Sequence, residues 1–392
     1  MISEPTLAPR AAVGRACPIS ASAPADAPDA AHQLARSLGQ GPFAQIFLFM
    51  SPAADMATVC AQMTQLFPQT GICGCSTAGE ITAEGYSEGQ IVAFALPRAG
   101  FDVEMVVLED LDQLDTRELI ADLLRARQSL GRRAFDRPNE CAVLVVDGLS
   151  GKEDVLVSAL SGGLGPVPLI GGSAGDGGKF QRTLIHARGR VLENAGVVTL
   201  IRSQCTVKPF SLDHLRPTHA RMVVTEAAPA KRTVARINDE PAAEEYARLL
   251  GLRTDQLSPF IFAAHPVLVR AGGRHHVRAI QGVGPQNSLQ FFAAIAEGLV
   301  LTIAEPQDIA EHLNEELGRF GREGAPSAIL GFDCIFRRIE AEGRQRGREV
   351  SDILSRHKVV GFSTYGEQVG AMHVNQTLTG IAFYPPQGAV RD

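Results

Sequence analysis

The chain of 392 residues carries a net charge of −6, with 45% hydrophobic and 20% charged residues. That is a globular composition, too long for one ordinary core, and its acidic balance excludes the concentrated basic face that phosphate backbones require. Seven cysteines in a chain of this length do not make a disulfide framework, and no apolar run reaches the ~18 residues of a membrane span.

Residues 1–30 are rich in Ala, Pro and Ser and lack a basic stretch followed by an apolar one. They read as a disordered tail and not as a secretory leader. Cys60, Cys141, Cys205 and Cys334 sit inside apolar runs, where a reduced cysteine packs as a small hydrophobe. A cytoplasmic location is the expectation.

From there one pattern occurs three times: an apolar strand, an amphipathic helix, then a glycine–serine motif ending in glycine and a carboxylate. The first copy runs from Ile46-Phe47-Leu48-Phe49, through a helix near Asp55 to Phe67, to Gly74-Cys75-Ser76-Thr77-Ala78-Gly79-Glu80. The second runs from Ala142 to Asp147, through a helix near Glu153 to Leu160, to Gly171-Gly172-Ser173-Ala174-Gly175-Asp176. The third starts at Ala328, has a longer helix ending near His357, and reaches Gly361-Phe362-Ser363-Thr364-Tyr365-Gly366-Glu367. Further extended runs follow each motif, over 90–96, 196–201 and 377–384. Continuous apolarity, without alternation, implies strands covered on both faces. The predicted fold class is α/β: two-lobed, layered sheets with helices, built from repeated strand–helix–turn–strand units. Gly79, Gly175 and Gly366 are expected to turn the chain, at least two of them with positive φ.

Between the second and third copies, Thr206 to Arg232 holds Pro209, Pro217 and Pro229 and reads as a connector. Residues 232–251 predict a strand, a turn and a helix capped by Asn238 or Asp239, with Pro241 in its first turn and Gly251 at its end. A hairpin is expected for 260–269 and 274–281, then helices over 288–297 and 307–320. Arg344 to Arg348 reads as a solvated helix face. The resulting division is a tail over 1–30, a first domain over 31–225 and a second over 226–392.

The motif from Gly74 to Ile81 resembles the signature of the FIST N-terminal domain, and Gly172 to Asp176 resembles its second block. Phe332-Asp333-Cys334 with Arg337, Gly361 to Glu367, and Asn375-Gln376-Thr377 resemble the FIST C-terminal domain. The resemblance covers about residues 40 to 385. It implies a sensory protein that binds a small molecule and signals to a partner. Lys208 to Thr218, followed by Met222-Val223-Val224-Thr225-Glu226-Ala227, resembles the NosP nitric-oxide-sensing branch more closely. That likeness implies non-covalent heme b, iron ligation by a histidine, and control of a histidine kinase or cyclic-di-GMP enzyme in a two-component system. A homodimer is compatible with it, and nucleic acid or membrane binding is not expected.

A b-type heme needs one neutral imidazole on iron within an apolar setting. His214, flanked by Phe210, Leu212 and Leu215 between Pro209 and Pro217, is the first choice of axial ligand, and His186 the second. His275 and His276 point to opposite faces of their hairpin and read as surface residues; His265 and His373 are weaker candidates. The alternative is a non-heme FIST sensor taking an amino acid or other small metabolite, with Ser76, Thr77, Ser363 and Thr364 lining a polar pocket. Gly171 to Gly175 matches the nucleophile-elbow pattern, but a strand and not a helix is expected after it, so Ser173 is not read as catalytic and no enzyme is expected. Cys73 and Cys75 would share one strand face and read as packing.

Overall fold

The computed structural model describes residues 16–271 and 273–386. Its elements fall into three units with the same order: strand, helix, strand, helix, strand, hairpin, strand. The first unit comprises β1 (Ile19–Pro24), α1 (Ala30–Leu38), β2 (Phe43–Met50), α2 (Met56–Leu66), β3 (Gly71–Ser76), the hairpin β4 (Glu80–Thr82) and β5 (Gly85–Ser87), and β6 (Gln90–Pro97). The second comprises β7 (Phe101–Leu108), α3 (Thr116–Arg133), β8 (Asn139–Val146), α4 (Glu153–Leu164), β9 (Leu169–Ser173), the hairpin β10 (Ile185–Ala187) and β11 (Arg190–Leu192), and β12 (Gly196–Ser203).

The third unit opens with β13 (Thr206–Leu212) and is then interrupted by an insertion. The insertion holds β14 (Leu215–Ala228), β15 (Thr233–Ile237), β16 (Glu240–Pro241), α5 (Ala242–Leu249) and α6 (Pro259–Ala264). It continues with β17 (Val267–Ala271), β18 (Arg274–Arg278), β19 (Ile280–Val283), β20 (Leu289–Phe291) and β21 (Val300–Pro306). The unit resumes as α7 (Ile309–Phe320), β22 (Ala328–Cys334), α8 (Ile335–Gly343), α9 (Gly347–Arg356), β23 (Val359–Thr364), the hairpin β24 (Glu367–Val369) and β25 (Met372–Val374), and β26 (Leu378–Tyr384).

Each unit builds a sheet of the same order and lends its hairpin to another. The strand orders are β1-β6-β2-β3-β10-β11, β7-β12-β8-β9-β24-β25 and β13-β26-β22-β23-β4-β5. Thus the second unit's hairpin completes the first sheet, the third's completes the second, and the first's completes the third. In all three the central pair is parallel (β2–β3, β8–β9, β22–β23), as a helical crossover requires. The insertion forms a separate eight-stranded sheet.

The apolar strands are buried on both faces. Phe47, Phe49, Phe94, Val143, Val145, Phe332, Phe362 and Phe383 point inward from the three sheets into one shared core. On the outer faces, α1 and α2 cover the first sheet, α3 and α4 the second, and α7 and α9 the third, each with its own core. The insertion carries a further core around Tyr246, Phe262 and Phe291. The layered α/β class stands, and among the described residues no helix is long and apolar enough to cross a membrane.

Several local expectations change. The expected tail lies outside the described residues through residue 15, but Ile19–Pro24 pairs with β6, so the tail ends earlier than 30. Thr206–Leu212 is no connector: it pairs along β26, and Pro209 is tolerated because β13 is an edge strand. The expected boundary at 225/226 falls inside β14, and hairpins cross between the two halves. Asn238 and Asp239 take positive φ in the β15–β16 turn and do not cap α5. Residues 259–264 form α6 before the hairpin, and no helix forms over 288–297. The basic run breaks the helix at Arg344–Arg346, where Gln345 has φ 60°.

Candidate functional site

The three serine motifs meet at the junction of the three sheets. Ala78 N–H donates to the Ser363 carbonyl at 2.9 Å, Gly175 N–H to that of Ser76 at 3.1 Å, and Tyr365 N–H to that of Ser173 at 3.2 Å. Residues two places after each serine therefore close a ring of equivalent backbone bonds. Ser363, Thr77 and Thr364 have no exposed surface. Thr77 donates to Glu80 and Thr364 to Glu367, while the same carboxylates accept from Gln90 N–H at 3.0 Å and Thr377 N–H at 3.2 Å. Burial pushes the Glu80 carboxyl up and that of Glu367 up to about 8, against these donors. Of the four expected pocket residues, three thus build the junction, and Ser76 lines a cavity among the described residues.

Positive φ is also confined to one of the three motif glycines, Gly79 at 135°. Gly175 and Gly366 are needed for close approach: a Cβ would lie 2.8 Å from the Ala78 Cβ at the first and 2.3 Å from His373 Cε1 at the second.

His214 lies between β13 and β14, fully buried in a polar chain. Its Nε2 is 2.9 Å from Glu340, and Arg337 reaches its Nδ1 at 2.9 Å. Arg337 in turn donates to Asp333 at 2.6 Å, and Tyr86 donates to the same carboxylate. Arginine only donates, so Nδ1 accepts and Nε2–H donates to Glu340. Burial holds the imidazole below its ordinary pKa although Glu340 opposes this, which fits a neutral ring. Both nitrogens are therefore engaged, and the residues present do not fit heme iron at His214. His186, on β10, is 2% exposed and burial lowers its pKa; its Nδ1 is buried without a hydrogen-bond partner. His373 is buried beside Gln368. Ser173 is fully buried and accepts a hydrogen bond from Gln368 at 2.9 Å, with no helix after it. Cys73 and Cys75 both enter the shared core.

The cavity at Ser76 is a crevice of about 220 Å³ beyond the carboxyl ends of β2 and β3, beside the start of α2. Ser51, Ser76, Asp176, Lys179, Gln181 and Arg182 give it a polar wall; Met56 and Leu184 are among its apolar groups. Asp176 shapes the far wall by accepting from Phe180, Gln181 and Arg182 N–H, each at 2.8 Å, and from the Tyr365 hydroxyl. Ser76 Oγ accepts from Leu184 N–H at 2.9 Å, leaving its hydroxyl proton to donate. Arg182 is paired with Glu193, whereas Lys179 has no ion pair among the described residues. A second groove, about 370 Å³ between α7 and α9, spends its charge internally, since Arg346 binds both Asp308 and Glu349. Lys179, Gln181 and Arg182 were not expected at a site; their only sequence signal is polarity just after the second motif.

Residues 44–240 match the FIST N domain and residues 242–370 the FIST C domain. The chain belongs to the FIST family. FIST domains are sensor domains of signal transduction, and the serine motifs of this FIST protein lie within the matched regions. An uncharacterized protein of Methanocaldococcus jannaschii is 21% identical over 361 residues, covering 82% of this chain and 69% of the relative. Nothing in these matches singles out the nitric-oxide-sensing branch.

Proposed function

We propose that this FIST protein is a sensor that takes an amino-acid-sized, anionic metabolite in the Ser76 crevice and reports to a partner signalling enzyme. The supporting observation is the crevice itself: a polar cavity at the carboxyl ends of parallel strands, where open α/β sheets bind ligands, lined by Lys179, which has no ion pair among the described residues. Its volume of about 220 Å³ lies below the ~300–1,000 Å³ of drug-sized pockets, which suits a metabolite better than a tetrapyrrole. Lys179 and Arg182 meet a carboxylate, the Ser76 hydroxyl donates to it, and Met56 with Leu184 covers an aliphatic part. Burial of Ser173 argues against that serine as a nucleophile. The signal passes, in this reading, to a histidine kinase or a cyclic-di-GMP enzyme in the cytoplasm.

Titration calorimetry of the full chain with the common L-amino acids and small dicarboxylates tests this. At least one should bind, and Lys179→Glu should weaken it more than about tenfold, or ~1.4 kcal/mol, with an unchanged melting temperature. No binding in the set, or equal binding by the variant, overturns the reading.

Heme b and nitric oxide form a second reading, favoured by His186. A neutral buried imidazole with an unpartnered nitrogen is what iron ligation needs, and bound heme would supply the nitric oxide site. His186→Ala should then abolish the Soret band of the heme-loaded chain. A spectrum lost with His214→Ala but retained with His186→Ala would refute that assignment.

A further inference from the structure

Two cysteines from opposite ends of the first 205 residues meet where all three sheets come together. The Cys205 thiol donates toward Cys17 with the sulfurs 3.9 Å apart, and is 3.4 Å from the Ala16 carbonyl. Cys205 is fully buried and Cys17 is half-buried, whereas Cys60, Cys73, Cys75, Cys141 and Cys334 are at most 2% exposed. The approach depends on Gly100, where a Cβ would stand 2.0 Å from the Ala16 oxygen. Gln204 N–H bonds the Gly100 carbonyl at 3.0 Å and Cys205 N–H bonds Ser203 Oγ at 2.9 Å, so the Cys205 backbone is fixed.

We propose that Cys17 and Cys205 form a peroxide-oxidisable dithiol whose disulfide fastens the three units to one another. Cys17 precedes β1 of the first sheet, and Cys205 joins β12 of the second sheet to β13 of the third. One bond therefore ties all three. The roles are unequal. The Cys205 thiol donates toward Cys17, and this hydrogen bond lowers the Cys17 thiol to about 6 against the effect of burial, which favours Cys17 as the thiolate of the pair.

The Cys17 thiolate attacks one oxygen of a hydroperoxide and the O–O bond breaks. Cys17 becomes a sulfenic acid, and the departing oxygen leaves as water after taking a proton from solvent. Cys205 then attacks the Cys17 sulfur. The S–S bond forms as the sulfenic S–O bond breaks, and the released hydroxide takes the Cys205 proton as water. Two thiols lose two electrons and two protons, and hydrogen peroxide is reduced to two waters. The sulfurs must close from 3.9 Å to ~2.05 Å, and the half-buried Cys17 is the partner with room to move.

The experiment treats the reduced full chain with stoichiometric hydrogen peroxide, blocks remaining thiols with iodoacetamide and maps peptides without reduction. The expected product is a Cys17–Cys205 linked peptide, with the protein lighter by two hydrogens, reversed by dithiothreitol. Cys17 alkylation should fall at least tenfold. With Cys205→Ser, the link should vanish and dimedone should trap the sulfenic acid at Cys17. Should that variant fail to fold, Cys17→Ser, at the half-buried position, must equally abolish the link. A link between other cysteines, or full alkylation of Cys17 after peroxide, refutes the proposal.

Discussion

Replacing Glu367 with glutamine should remove a pH dependence built into the third motif. Glu367 is fully buried at the start of β24 and accepts from the Thr364 hydroxyl, from Thr377 Oγ1 at 2.7 Å and from Thr377 N–H at 3.2 Å. Burial pushes its pKa from 4.5 up to about 8, outweighing those three donors. A folded pKa above the unfolded one means that the fold prefers the protonated acid. The stabilisation is complete below the unfolded value and is lost as pH rises through about 8. Between about pH 5 and pH 9 the linkage amounts to a loss of about 4 kcal/mol. Glutamine is neutral throughout, can keep its oxygen toward Thr377, and can donate its amide to Thr364 Oγ1. Urea unfolding across this pH range should therefore give a wild-type stability that falls against the Glu367→Gln curve. Groups common to both proteins cancel in the difference. Parallel curves would show that Glu367 is ionised in the fold and that its donors, not burial, prevail.

The remaining predictions concern buried groups of the same core. Gly366→Ala places a Cβ 2.3 Å from His373 Cε1 and 2.8 Å from its Nε2, and should cost about 1–3 kcal/mol in urea unfolding; an unchanged midpoint would show that His373 moves freely. His214→Ala leaves buried Arg337 and Glu340 without their shared partner, and should cost about 3 kcal/mol, with wild-type stability counting against the neutral-imidazole bridge. Ser173→Ala should leave any hydrolysis of a p-nitrophenyl ester unchanged, because its hydroxyl is buried and bonded to Gln368; loss of saturable turnover would make the protein an enzyme.

The threefold repeat was legible because its strands are continuously apolar and each motif ends in glycine and a carboxylate, and in the first copy the helix also has a sharp start, with the Asp55 side chain accepting from Thr58 N–H. What the repeat could not show was the exchange of hairpins. Three-residue strands such as Glu80–Thr82 and Glu367–Val369 carry no periodicity, and their partners lie far along the chain. The connector expectation at 206–232 failed for a related reason: three prolines suggest a loop, yet an edge strand needs only half its donors. Pro209 lies in the edge strand β13, and Pro217 stands at the register shift of β14 against β21, the other place where a strand accepts proline. The interruption of the third unit by the insertion also hid the equivalence of β13 with β1 and β7.

The site was legible only in part, because a motif does not reveal which of its side chains a symmetric junction consumes. Ser76 and Ser363 occupy matching positions, yet only Ser76 lines the crevice, since Asp176 and its loop, the least regular of the three copies, stand there. That loop also presents Phe180 at φ 54°, stacked on Tyr365 of the third unit at 4.4 Å between ring centroids and 5.7 Å from Phe292 of the insertion. Lys179 and Gln181 flank Phe180, so the residues facing the crevice and the ring facing the other units belong to one short segment. The same Asp176 carboxylate holds both the segment's amides and the Tyr365 hydroxyl. A ligand that displaced the backbone of this segment would have to carry Phe180 with it or break those bonds. The departure from symmetry in the second copy is thus what connects the crevice to the third unit and the insertion, the route a sensor requires if binding is to favour one arrangement of the units over another.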